Sequence, residues 1–109
     1  MQSIGKFNLK NQGGFVVKMG FQYHNQNSSE WTRTKEETGK IRLGQSKTAD
    51  PGDYGVADGD TVRIYADVQA GKDKHGNQDF TYQKGNALTA YYSISGTTLD
   101  DRLGLDEVK

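Results

Sequence analysis

The chain has 109 residues, no cysteine, and as many basic as acidic side chains. That length fits one compact domain, expected to span residues 1–109. The missing thiols exclude a disulfide framework, a thiolate zinc site and a cysteine nucleophile, and no segment approaches the run of about 20 apolar residues that a membrane helix needs.

Hydrophobic residues are 32% of the chain. The core must therefore be thin, which two packed sheets tolerate because only alternate strand residues need be apolar. Residues 4–10 read as a first strand. Residues 1–10 hold no apolar run of signal length, which predicts a cytoplasmic or leaderless secreted protein. Asn11-Gln12-Gly13-Gly14 reads as a hairpin turn into the next strand. There Phe15, Val17, Met19, Phe21 and Tyr23 share one face, and Val16, Lys18, Gly20, Gln22 and His24 the other.

A polar loop, 25–29, precedes short strands at 30–34 and 40–46. Between them, residues 36–39 are the one place where a helical turn fits. Asp50-Pro51-Gly52-Asp53 and Asp58-Gly59-Asp60 bracket a long loop carrying Tyr54. Alternation returns in residues 61–68, with Val62, Ile64, Ala66 and Val68 inward. A short strand at 79–84 lies between turns at 71–77 and 85–86. Residues 87–95 alternate once more, with Leu88, Ala90, Tyr92 and Ile94 inward. The tail, 96–109, sets Leu99, Leu103, Leu105 and Val108 among acids and reads as an eighth strand, a docked coil or a short helix. The expected fold is an all-β antiparallel sandwich of about seven to eight strands. A small β-barrel is the alternative, since it gives the same alternation.

Charge is unevenly placed. Residues 1–47 carry eight Lys/Arg against three Glu, and all ten aspartates follow in residues 48–109. Such a split marks either a binding face or strands that neutralise each other across the sheets. An acidic second half argues against a nucleic-acid groove.

The catalytic inventory is poor. His24 and His75 lie in no motif for a base or a metal ligand, and no nucleophile elbow, phosphate loop or zinc-protease motif occurs, so no enzyme activity is expected. Calcium is the candidate cofactor, because it takes several carboxylate and carbonyl oxygens on loops. Asp58 and Asp60 on the long loop, with Asp100 and Asp101 in the tail, would make such a site if the two segments met at one end. Phe7, Phe15, Phe21, Tyr23, Phe80, Tyr82 and Tyr92 are placed as core. Trp31, Tyr54, Tyr65 and Tyr91 remain as candidate ligand-binding rings, suited to stacking on a sugar or lying at a lipid headgroup.

The opening 7–15 segment (Phe-Asn-Leu-Lys-Asn-Gln-Gly-Gly-Phe), the polar loop before Trp31, the acidic Gly-rich loop and Val62-Arg63-Ile64-Tyr65-Ala66-Asp67 together resemble the small leaderless β-sandwich proteins of the aegerolysin and actinoporin-like groups. The resemblance implies binding to membrane lipids, sometimes as a subunit of a pore, with Trp31 and Tyr54 as lipid or headgroup contacts. The expected function is therefore non-enzymatic recognition of a lipid headgroup or carbohydrate, calcium-assisted, in a pore-forming or lectin-like module that oligomerises. The alternative is a protein-interaction module (inhibitor, immunity protein or assembly subunit) using the charge-split surface or an exposed strand edge.

Overall fold

The alternating stretches pair into two sheets packed face to face, with no closed barrel. The computed structural model describes residues 1–109. In chain order the strands are β1 (Ser3–Ile4), β2 (Lys6–Asn11), β3 (Val17–His24), β4 (Thr32–Arg33), β5 (Ser46–Ala49), β6 (Thr61–Val68), β7 (Lys74–His75), β8 (Phe80–Tyr82), β9 (Thr89–Thr97) and β10 (Asp100–Val108). A single 3-10 turn, Pro51–Tyr54, follows β5 and is capped by the Asp50 side chain, which accepts from the Gly52 N–H. One sheet has the order β1-β8-β6-β3-β4, with β7 also pairing with β6; the other has the order β10-β9-β2-β5.

Register follows the hydrophobic pattern. β3 and β6 pair antiparallel from Val17 opposite Val68 to His24 opposite Thr61. Val17, Met19, Phe21, Val62, Ile64, Ala66 and Val68 thereby face the second sheet, which answers with Phe7, Leu9, Ala90, Tyr92 and Ile94. Phe7 is central. Its ring lies 5.3 Å from Phe21, 5.6 Å from Phe80 and 6.2 Å from Tyr92, so one residue of β2 touches strands of both layers. Burying such a side chain is worth about 1.5–3 kcal/mol.

The sandwich differs from the expected one in its pairing. Both sheets are mixed: β1 runs parallel to β8, and β2 parallel to β9. The β2–β9 pairing arises at the segment 11–14. That segment is no hairpin, because β2 and β3 lie in different sheets and residues 12–16 cross between them. Asn11, fully buried, holds the crossing. Its side-chain amide donates to the carbonyls of Phe15 (2.6 Å) and Ile41 (3.0 Å), and its side-chain oxygen accepts from the Gly13 N–H (2.8 Å). Every hydrogen-bonding group of that buried amide is thus satisfied.

Residues 30–46 also depart from expectation. The strand expected at 30–34 shrinks to Thr32–Arg33, and the one expected at 40–46 is a turn followed by β5. Residues 36–39 form no helical turn. Two threonines, Thr34 and Thr38, stand in for a strand along this segment. The Met19 and Phe21 N–H groups donate to the hydroxyls of Thr38 (3.0 Å) and Thr34 (3.1 Å). The Thr38 and Thr34 N–H groups donate back to the Met19 and Phe21 carbonyls at 2.8 Å. The outer edge of β3 is therefore closed by side chains, and a buried polar backbone is paired without a regular ladder. The tail resolves into strand, as a long β9–β10 hairpin.

Candidate functional site

The register fixes which loops share an end. β2 runs parallel to β9 with Asn11 opposite Ile94, and β5 enters beside it with Ser46 opposite Lys10. The loop before β5 and the β9–β10 hairpin therefore emerge together at the Asn11 end. The 25–31 loop, the 3-10 turn and residues 57–60 gather at the opposite, His24 end.

Apart from Met1, two large apolar side chains stand strongly exposed: Leu43 at 65% and Leu99 at 72%. Both are at the Asn11 end, and both are turn tips. Leu43 sits in a turn where the Gln45 N–H donates to the Arg42 carbonyl at 2.9 Å, and Gly44 supplies the left-handed residue at φ +84°. Asn11 anchors this turn through its main chain: its carbonyl accepts from Gly44 (2.8 Å) and its N–H donates to the Gln45 carbonyl (2.9 Å). Leu99 lies in the two-residue link Thr98-Leu99, where Thr97 pairs with Asp100. The Thr98 carbonyl accepts from the Lys72 N–H at 3.1 Å. β9 and β5, the strands these turns serve, stand two strand spacings apart across β2, about 10 Å. The result is a pair of apolar prongs on hydrogen-bonded supports.

The four candidate rings are all half-buried and do not converge. Trp31 is held within the outer face of the β3–β6 sheet. The Arg63 guanidinium lies 3.9 Å from its ring centre and the His24 ring packs edge-on at 4.5 Å. The Gln22 side chain accepts from Arg63 Nε at 2.7 Å and fixes that stack. Tyr65 is engaged reciprocally: Arg33 covers its ring at 4.2 Å, and its hydroxyl donates to Asp73 at 2.6 Å. Arg33 also pairs with Glu37 (2.8 Å) and Asp67 (3.3 Å). Burial, and then the proximity of Asp67, raises the Glu37 carboxyl above its ordinary range. Tyr54 packs on Phe21 at 5.7 Å, and Tyr91, on the other sheet, lies beneath the Lys109 ammonium at 5.2 Å.

The four candidate metal ligands fall at opposite ends. Asp58 and Asp60 are at the His24 end, where they accept from the Lys84 and Ala57 N–H groups. Asp100 and Asp101 open β10 at the Asn11 end. Asp101 is buried, with the Lys74 ammonium 3.1 Å away as its countercharge. No three His, Asp or Glu side chains come together in a group able to hold a metal ion. The His24 end does carry an open cleft of about 360 Å³, lined by Tyr23, His24, Asn25, Glu30 and Asp60 among others.

Sequence reasoning missed Leu43 because it lay inside an expected strand. Its signal was the flanking Arg42 and Gly44, a turn composition in place of alternation. Leu99 was visible in the tail, but only the hairpin makes it a tip.

No family model matches this sequence, and no curated protein does. Among solved structures, listeriolysin O matches 94% of this chain with a TM-score of 0.52 at 17% identity, using 22% of its own length. The human-specific toxin intermedilysin matches 96% with a TM-score of 0.50 at 16% identity, using 23% of its length. A disulfide-locked mutant of intermedilysin, solved with human CD59, gives the same score and identity. The chain thus spans under a quarter of the proteins it matches, and the likeness is one of fold. What is shared is an all-β sandwich, and it does not point to aegerolysins or actinoporins in particular. No helix is long and apolar enough to cross a membrane.

Proposed function

We propose that this protein is a non-enzymatic module that docks on a lipid surface through the Asn11 end of its sandwich. The observation that carries this reading is the placement of Leu43 and Leu99, two bare apolar side chains on two braced turns at the same end of the sandwich. Isolated surface leucines mean little, but paired tips at one end offer a bilayer something to bury. Each leucine transferred from water contributes at most about 1.5–3 kcal/mol, so the two together give a weak and reversible attachment. The sandwich shared with listeriolysin O and intermedilysin supports the same reading. A lipid surface is favoured over a carbohydrate because Trp31, Tyr65 and Tyr54 already stack on Arg63, Arg33 and Phe21. Several acids are likewise occupied as turn and cap acceptors, which supports binding over catalysis.

The strand-edge alternative meets built-in defences. β10 is a free edge, but it carries an inward-facing Asp101, a register shift between Leu105 and Glu107, and charges at Asp100, Arg102 and Asp106. Such features discourage edge pairing.

Vesicle co-sedimentation tests the proposal. The Leu43→Ala/Leu99→Ala variant should lose binding while keeping the parent melting temperature, since both side chains touch mainly solvent. Binding undiminished in that variant would sink the reading.

A further inference from the structure

The excess of cations in the first half of the sequence does not disappear on folding. Arg33, Lys74, Arg102 and Lys109 each have a carboxylate within 4.0 Å. Lys10, Lys40, Arg42 and Lys47 have none, and all four are exposed. The last three cluster where β2 and β5 meet the Leu43 turn. Lys40, Arg42 and Lys47, with Gln45 and Ser46, line an open depression of about 450 Å³ that has no apolar wall. Lys10, opposite Ser46, projects from the other face of this ladder, because Lys47 is the residue opposite the core side chain Leu9. The acids Asp50, Asp53, Asp58 and Asp60 lie in the loop at the far, His24 end. The eight residues of β3 that join the two ends span about 26 Å, about three Debye lengths at physiological salt, so the two ends meet a charged plane separately.

We propose that Lys40, Arg42 and Lys47 form a cationic patch that recognises anionic phospholipid headgroups and sets the domain on the bilayer with Leu43 leading. This rests on the membrane reading above and names the lipid class. One feature selects a lipid over another polyanion. Leu43 stands bare beside Arg42, so unpaired positive charge and an apolar tip act at one spot, and a bilayer answers both. A nucleic-acid backbone answers only the charge. At the Leu99 tip each charge has a counterpart, Asp100 with Arg102 and Asp101 with Lys74, so the unmatched positive charge falls on the β5 side and the sandwich leans toward that edge. A cation near an anionic leaflet strengthens binding about fivefold.

The experiment compares vesicles of phosphatidylcholine alone with vesicles that also contain phosphatidylserine, at low and physiological salt. It uses the parent, the Leu43→Ala/Leu99→Ala variant and the Lys40→Gln/Arg42→Gln/Lys47→Gln variant, with unchanged melting temperatures as the control for folding. The expected result is tighter, salt-weakened binding to the serine-lipid vesicles, cut about a hundredfold by the three glutamines and lost in the leucine variant. Equal binding to both vesicles, untouched by the glutamines, would overturn the anionic preference and leave membrane docking standing. No binding to either vesicle would remove both. Binding of duplex DNA that depends on the three cations and not on Leu43, without vesicle binding, would reassign the face to nucleic acid.

Discussion

The side-chain amide of Asn11 donates to the Ile41 carbonyl at 3.0 Å, and so ties the crossing between the two sheets to the segment that leads into the Leu43 turn. The same amide holds the Phe15 carbonyl and the Gly13 N–H. Asn11→Ala would strand three buried backbone groups. A loss of about 2–4 kcal/mol in urea unfolding is expected. The variant should also loosen the Leu43 turn, seen as faster amide exchange at Ile41 and Gly44. An unchanged unfolding midpoint would show that the crossing is held by packing alone.

A second prediction concerns the buried carboxylate at the start of β10. Asp101 has no hydrogen bond to either oxygen and depends on the Lys74 ammonium for compensation. Lys74→Met should destabilise by about 2–3 kcal/mol, the lower side of a buried pair because Lys74 is partly exposed. Adding Asp101→Leu should recover most of that loss. A double variant as weak as the single one would mean that the pair is not coupled.

Alkaline pH should unfold the protein through its phenols. Burial, joined by Asp73 at Tyr65 and by Asp50 at Tyr82, pushes both hydroxyls up to about 12, and burial with Asp79 nearby does the same to Tyr92. An unfolded tyrosine titrates near about 10. Each folded phenol holds its proton more tightly than the unfolded one, so this stability is complete below about pH 10 and drains away as pH rises through about 12. Tyrosinate absorbance and unfolding should rise together in that window. Tyr92→Phe should leave stability at neutral pH equal or higher, because the Tyr92 hydroxyl is buried without a partner.

Calcium should leave the melting temperature where it is. A ligand raises stability only by binding the folded state, and the aspartates that would share an ion sit at opposite ends of the sandwich. A calcium-dependent rise reversed by chelator would reveal a site built from other oxygens.

Much of the fold was legible because burial in a strand has a period of two. The inward sets of β3, β6 and β9 were assigned from their own residues, and the structure buries them, with Tyr23 and Leu88 at the ends only partly covered. The elements that misled were those whose partners lie far away in sequence. Residues 11–14 have hairpin composition, yet Asn11 bonds to Ile41, and no local pattern announces that. Residues 36–39 could satisfy their backbone as a helical turn, but Thr34 and Thr38 spend their hydroxyls on β3.

The candidate site divides the same way. Composition alone located the unbalanced cations in the first half of the chain, and folding left Lys10, Lys40, Arg42 and Lys47 unpaired. The sequence by itself determined strand character, the identity of the core and the separation of charge, because each depends on residue type and spacing. Only the tertiary structure decided that Leu43 and Leu99 are tips of one end, that the candidate aromatics are committed to arginines and core, and that the aspartates stand apart. The arginine stacks follow from β4 and β6 flanking β3, and the placement of the turns at one end follows from the parallel β2–β9 register, which joins residues some 80 positions apart by backbone bonds that carry no side-chain signature.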